Sequence, residues 1–324
     1  MGEAFDLSGT YRVQSRRIGH PSRLAGRWAI LPAVDPDMAF TNDMLRADPQ
    51  WRGQSMVDIR PAFVERREGE FAEEPDILYK RSHFEPGGAA VMPSDIVDVL
   101  KAAERWSARR GYVRKLFGGD VAAELASRIG SIERIAALEY FMHEAGHCLG
   151  YDTATKYRDG YFQIHGKTVW PLVYVEELRA DLLSFGFAAR YLPRDLATAI
   201  FFYNLLLRFG SHLEDVDRRG CYPYGAIPFM LWGLLYRAGF IRPVAGTATD
   251  RVWVISSLDP ATVICHMKAL GDLARERLVE LDSLEATDSA ITAANFYRSV
   301  LEDDTVRSFD VAIAQARAAA PSDA

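Results

Sequence analysis

The chain has 324 residues, 49% of them hydrophobic and 25% charged, which is the balance of a soluble globular protein with one large or two medium domains. A net charge of −6 argues against a nucleic-acid surface, and three scattered cysteines (Cys148, Cys221, Cys265) argue against a disulfide framework. The N-terminus lacks an apolar stretch of signal-peptide length, and the apolar runs at 199–207 and 226–241 are too short or interrupted by Pro228 and Arg237. A cytoplasmic protein with no membrane partner is expected.

The first 95 residues or so are rich in Pro, Gly and Arg, with strand-like pieces at Trp28–Val34, Met56–Val64 and Ile77–His83 and turn signals at Glu68-Gly69 and Pro86-Gly87-Gly88. From Pro93 onward helical signals dominate. Ser94-Asp95 reads as a cap for a helix reaching about Arg110. A second helix is expected from Ser131 to Leu149, with Ile132, Ile135, Ala136 and Leu138 on its apolar side and Gly150 placed to end it. A third runs from about Val173 to Tyr191, before Pro193. The segment from Asp195 to Phe209 is apolar on nearly every side, as in a helix buried all round. Ala226–Ala238 reads likewise, Arg251–Ser256 reads as a strand, and Pro260–Leu281 and Ile291–Ala318 read as helices. The expected fold class is mainly α (α+β). A mixed N-terminal part over 1–93 leads into a helical, metal-binding body over 94–320.

His143-Glu144-Ala145-Gly146-His147 lies inside the second helix. Residues four apart share a helical face, so two imidazoles can meet one ion, and the intervening carboxylate can reach a water activated by that ion. Gly146 costs about 1 kcal/mol in a helix interior and so calls for a packing or access reason. Catalytic zinc takes three protein ligands. Downstream, Glu176-Glu177-Leu178-Arg179-Ala180-Asp181 places Glu177 and Asp181 four apart, on the flank of an apolar face made by Leu178, Leu182, Phe185 and Ala189. Carboxylates against a packed face need partners, and a zinc ion with its histidines supplies them. The alternative for this segment is an exposed charged edge pairing with Arg179. An alternative for the motif is the HExxHxxGxxH pattern, which has Gly150 in place but Thr153 where its third ligand belongs.

An HExxH sequence followed by a Glu-x-x-x-Asp helix resembles the gluzincin class of metallopeptidases. The wording Glu-Glu-x-Arg-Ala-Asp is similar to that of dipeptidyl peptidase III and its relatives, over about Tyr140 to Arg190. The resemblance implies His143, His147 and Glu177 as ligands of Zn2+ and Glu144 as general base. It implies Glu176 and Asp181 as carboxylates orienting the histidines. Tyr224 stands where the family carries a histidine that stabilises the transition state, and this chain has one residue fewer between its motif histidines. Tyr224 and His212 are the favoured oxyanion donors by position, with Tyr174, Tyr222 and His165 as further candidates and Gly220 to Gly225 as a loop near the site.

The expected function is hydrolysis of a peptide or amide bond by a zinc-activated water. The alternative is zinc-dependent tailoring of a small molecule in a biosynthetic pathway. Two His and one carboxylate also suit iron(II), so ligand type alone does not fix the metal.

Overall fold

A computed structural model describes the backbone of five N-terminal strands, Glu104 and Ser107, and residues 110–147, 162–211, 213–244, 252–278, 286–300 and 303–318. The strands are β1 (Gly9–Arg16), β2 (Arg23–Pro32), β3 (Ile59–Gly69), β4 (Ile77–Leu78) and β5 (Asp95–Asp98), arranged in the order β1-β2-β3-β5-β4. β1, β2 and β3 run antiparallel, with an irregularity at Ala29/Ile30, whereas β5 lies parallel to β3 from Ile59↔Asp95 to Ala62↔Asp98. The helix expected to begin at Ser94 is therefore not formed at Asp95–Asp98. The β-branched pair Ile96-Val97 completes the sheet instead, between β3 and β4. Strand β1 has no counterpart in the sequence reading.

The rest of the described chain is mostly helical, with two short hairpins, making the fold mainly α. Helices α1 (Arg110–Phe117) and α2 (Gly119–Ile129) are separated by Gly118 at φ 85° and followed by Gly130 at φ 66°, positions that favour glycine. Then come α3 (Ile132–His147), the hairpin β6–β7 (Gln163–Ile164, Lys167–Thr168), α4 (Trp170–Tyr191) and α5 (Arg194–Leu206). A π-helical turn, Leu207–Ser211, follows α5, then a 3₁₀ turn, Leu213–Arg218, and α6 (Pro223–Arg237). The hairpin β8–β9 (Ile241–Pro243, Trp253–Ile255) leads to α7 (Pro260–Leu273) with its own π turn, Ala274–Leu278. The C-terminal stretch expected as one helix from Ile291 forms two, α8 (Ala286–Val300) and α9 (Asp303–Ala318).

Proline sits in the first turn of α4, α6 and α7, where its missing N–H leaves no helical bond unmade. Asp259 caps α7 by accepting from the Thr262 N–H at 2.9 Å. Helix α4 is the hub: α3, α5, α6, α7 and α8 all pack on it, and every residue from Leu172 to Phe185 is buried. A second apolar centre gathers around Trp253, stacked on Trp232 at 4.3 Å and edge-on to Phe209 at 5.0 Å and Phe117 at 5.8 Å. Two glycine contacts let backbones approach closely. A Cβ at Gly146 would stand 2.7 Å from the Ala180 carbonyl oxygen, and one at Gly186 would stand 3.0 Å from the Gly271 Cα. The first contact joins α3 to α4 and sets the separation of the helices that carry the candidate metal ligands.

Candidate metal centre

Charge is concentrated where apolar side chains would be expected. Glu139, His143 and Glu144 on α3, Glu176, Glu177, Arg179 and Asp181 on α4, Asn204 on α5 and Arg208 in the π turn are all buried. Such groups persist inside a protein only when they are paired and hydrogen-bonded. The pairing here is systematic. His143 Nδ1 lies 2.8 Å from Asp181 Oδ1, and His147 Nδ1 lies 2.8 Å from Glu176 Oε1. Each carboxylate is in turn gripped by a buried arginine. Arg208 donates from Nε to Asp181 Oδ2 and from Nη2 to Asp181 Oδ1, both at 2.8 Å, while Arg179 Nη2 donates to Glu176 Oε2. With Nδ1–H given to a carboxylate, each imidazole presents the Nε2 lone pair on its other side.

Those lone pairs converge. The two Nε2 atoms are 3.1 Å apart, and Glu177 Oε2 lies 3.4 Å from that of His143 and 3.8 Å from that of His147. Zinc bound at ~2.0–2.2 Å in a tetrahedron sets its ligand atoms about 3.3 Å apart. The triangle is therefore close to the size a single zinc ion requires. The residues present fit the metal. Glu144 belongs to the same cluster, with one ligand atom from each of His143, Glu144 and His147 lying within 4.8 Å of one another. Glu177 Oε2, at 3.4 and 3.8 Å from the two Nε2 atoms, borders the same seat, so two carboxylates flank the histidine pair. Glu139, His143 and Asp181 also converge within 4.8 Å. The Asp181 carboxylate of that group already faces Arg208 and accepts from Asn204 Nδ2 at 3.0 Å, so a second cation there would meet a resident positive charge.

The electrostatics follow from these pairs. Burial alone would raise the pKa of Asp181, but the Arg208 charge and the His143 bond overcome it and hold the carboxyl far below its usual range. Burial would lower that of His143, yet its bonds to Asp181 and Glu177 hold it well above normal. Glu177 is depressed for the matching reason: burial acts against ionisation, and His143, His147 and Arg208 outweigh it. Glu139 is the exception. Burial raises it, despite the Asn204 Nδ2 that donates to its Oε1 at 2.6 Å.

Tyr224, in the first turn of α6, feels Glu177, Arg208 and Glu144 electrostatically, and its ring lies 5.2 Å from the Arg208 guanidinium. The negative charge of Glu177, together with burial, keeps its hydroxyl protonated well past the ordinary phenol range. Tyr222 sits edge-on to it at 5.5 Å. His212, the other favoured donor, lies outside the described residues, as does Cys148. His165 is exposed at the tip of the β6–β7 hairpin, and Tyr174 is buried in a stack with Trp170, next to Tyr297. The sequence reading missed Glu139, Asn204, Arg208 and the buried state of Arg179. A signal existed for two of them: Asn204 and Arg208 are polar residues four apart in an otherwise apolar segment. The alternative of an exposed charged edge at Glu176–Asp181 fails, because Glu176, Arg179 and Asp181 are fully buried.

No protein-family model and no curated protein matches the chain. Among solved structures it is similar in fold to DPP III from Caldithrix abyssi, with a TM-score of 0.59 and 12% identity over 94% of this chain and 58% of that one. It is similar also to dipeptidyl-peptidase III from Corallococcus sp. strain EGB, with a TM-score of 0.51 and 14% identity over 93% of this chain and 57% of that one. At these identities the likeness is one of fold, and the chain spans less than two thirds of either structure. No helix among the described residues is long and apolar enough to cross a membrane.

Proposed function

We propose that the chain is a zinc-dependent hydrolase that cleaves a peptide or amide bond. The observation that supports this reading is the triangle of His143 Nε2, His147 Nε2 and Glu177 Oε2, with edges of 3.1, 3.4 and 3.8 Å. When bound, zinc supplies a Lewis acid that polarises a carbonyl and brings the pKa of a water to about 7. Asp181 and Glu176 take the Nδ1–H of the two histidines and keep both rings aimed at the seat. Glu144 accepts the proton of the attacking water and hands it to the departing amine, the role of a carboxylate beside but not on the metal. Tyr224, kept protonated by Glu177 and by burial, donates its hydroxyl to the oxygen on which negative charge develops.

The test is elemental analysis of the wild type and Glu177→Ala, followed by a peptide panel run with and without chelator. About one zinc per chain, lost in the variant, together with chelator-sensitive cleavage, supports the reading. Full zinc with no peptide cleaved moves the same site to small-molecule tailoring. Wild-type protein without metal refutes the site.

A further inference from the structure

Arg208 is only 4% exposed and lies in the π-helical turn that follows α5. Its fork grips both oxygens of Asp181, and the oxygen facing Nη2 also receives His143 Nδ1 at 2.8 Å and Asn204 Nδ2 at 3.0 Å. A buried ion pair of this kind gains little stability over apolar residues of similar volume, because desolvation cancels most of its attraction. What it does fix is direction. A carboxylate held at two points by a planar guanidinium cannot rotate, and a π turn places a side chain where a regular α-helix would not.

We propose that Arg208 is a positioning residue for the metal seat, aiming Asp181 so that His143 presents Nε2 to the ion. The proposal rests on the zinc-site reading above. Beyond that reading, the π turn after α5, through one side chain, sets the orientation of one ligand. The other ligand is served differently. His147 is oriented by Glu176, whose arginine, Arg179, sits three residues away on the same helix. The two histidines thus respond to different arginines, and each serves as the control for the other. The Arg208 guanidinium also faces the Tyr224 ring at 5.2 Å, so the same cation borders the ligand shell and the candidate oxyanion donor.

The experiment uses the full chain loaded with cobalt(II), in which the ring N–H of each coordinated histidine gives a shifted, exchangeable proton resonance. Wild type should bind one cobalt and show two such resonances. Arg208→Gln should bind about 10–100-fold more weakly and displace or broaden one resonance while leaving the other in place. Arg208→Lys keeps the buried charge but not the fork, so it should displace the same single resonance with a smaller loss of affinity. It also serves if the glutamine variant does not fold. Variants with wild-type affinity and both resonances unmoved overturn the proposal while leaving the zinc site standing. A parallel shift of both resonances reduces Arg208 to a structural part and overturns it as well. Wild-type protein that binds no cobalt refutes the zinc-site reading itself.

Discussion

Replacing Gly146 by alanine tests whether the α3–α4 contact sets the ligand triangle. The added Cβ would stand 2.7 Å from the Ala180 carbonyl oxygen and 2.8 Å from its Cα, backbone atoms that no rotamer change can move aside. Ordinary contact begins at 3.4 Å, so the two helices must part by about 0.7 Å locally. Overpacking of this kind costs roughly 1–3 kcal/mol, and alanine returns about 1 kcal/mol of helix propensity, leaving a net loss of about 0–2 kcal/mol. The ligand shell is hit harder. His143 and His147 ride on α3 and Glu177 on α4, so gaps of 3.4 and 3.8 Å open further beyond the ~3.3 Å edge a zinc tetrahedron requires. Zinc affinity should therefore fall at least about tenfold, while the melting temperature drops by only a few degrees. Gly186→Ala is the control, since its Cβ meets Gly271 Cα at 3.0 Å on the opposite packing partner, α7. Competition against a chromophoric chelator and calorimetry read the two effects. The reasoning fails if Gly146→Ala binds zinc as wild type does, or if Gly186→Ala loses zinc equally.

Glu144→Gln should keep its zinc and lose about 10²–10⁴-fold in turnover of any substrate found, as read by elemental analysis beside kinetics. Tyr224→Phe should leave metal content unchanged and lower kcat more than it raises KM, because its hydroxyl acts on charge that develops only in the transition state. Arg179→Met leaves the Glu176 carboxylate buried beside an apolar chain, and chemical denaturation should show a loss of about 3–5 kcal/mol. In metal-free protein, the raised pKa of His143 contributes stability that is full below about pH 6.5 and lost as pH climbs through the folded value. Melting temperature should fall from pH 6 to pH 9 after chelation, and zinc-loaded protein should show little of that fall.

The meeting of His143 and His147 was legible because its geometry is local: a spacing of four within one helix fixes which side chains meet, whatever surrounds them. The place of Glu177 beside that motif was readable one step further out, since carboxylates beside Leu178 and Leu182 call for buried partners. Arg208 and Asn204 could be seen as oddities in an apolar segment, but they meet Asp181 on α4, 27 and 23 residues away in the chain, and Asn204 also meets Glu139 on α3, 65 residues away. Spacing carries no information about such contacts. The error at Ser94 has the opposite origin. The Ser-Asp pair is a fair capping signal, and only the neighbouring β3 and β4 decide that Ile96 and Val97 serve as strand.

The burial of α4 on all sides has a kinetic consequence for any bound ion. Glu177, Glu176 and Asp181 sit on the element least able to open without unfolding the whole body. The side chain of His147 is 17% exposed against 6% for that of His143. An ion held by the three proposed ligands would therefore lose His147, the more exposed of the two histidines, before His143 and Glu177. Its off-rate would then follow the exposure of His147 rather than the depth of Glu177, and a chelator would reach it from the His147 side.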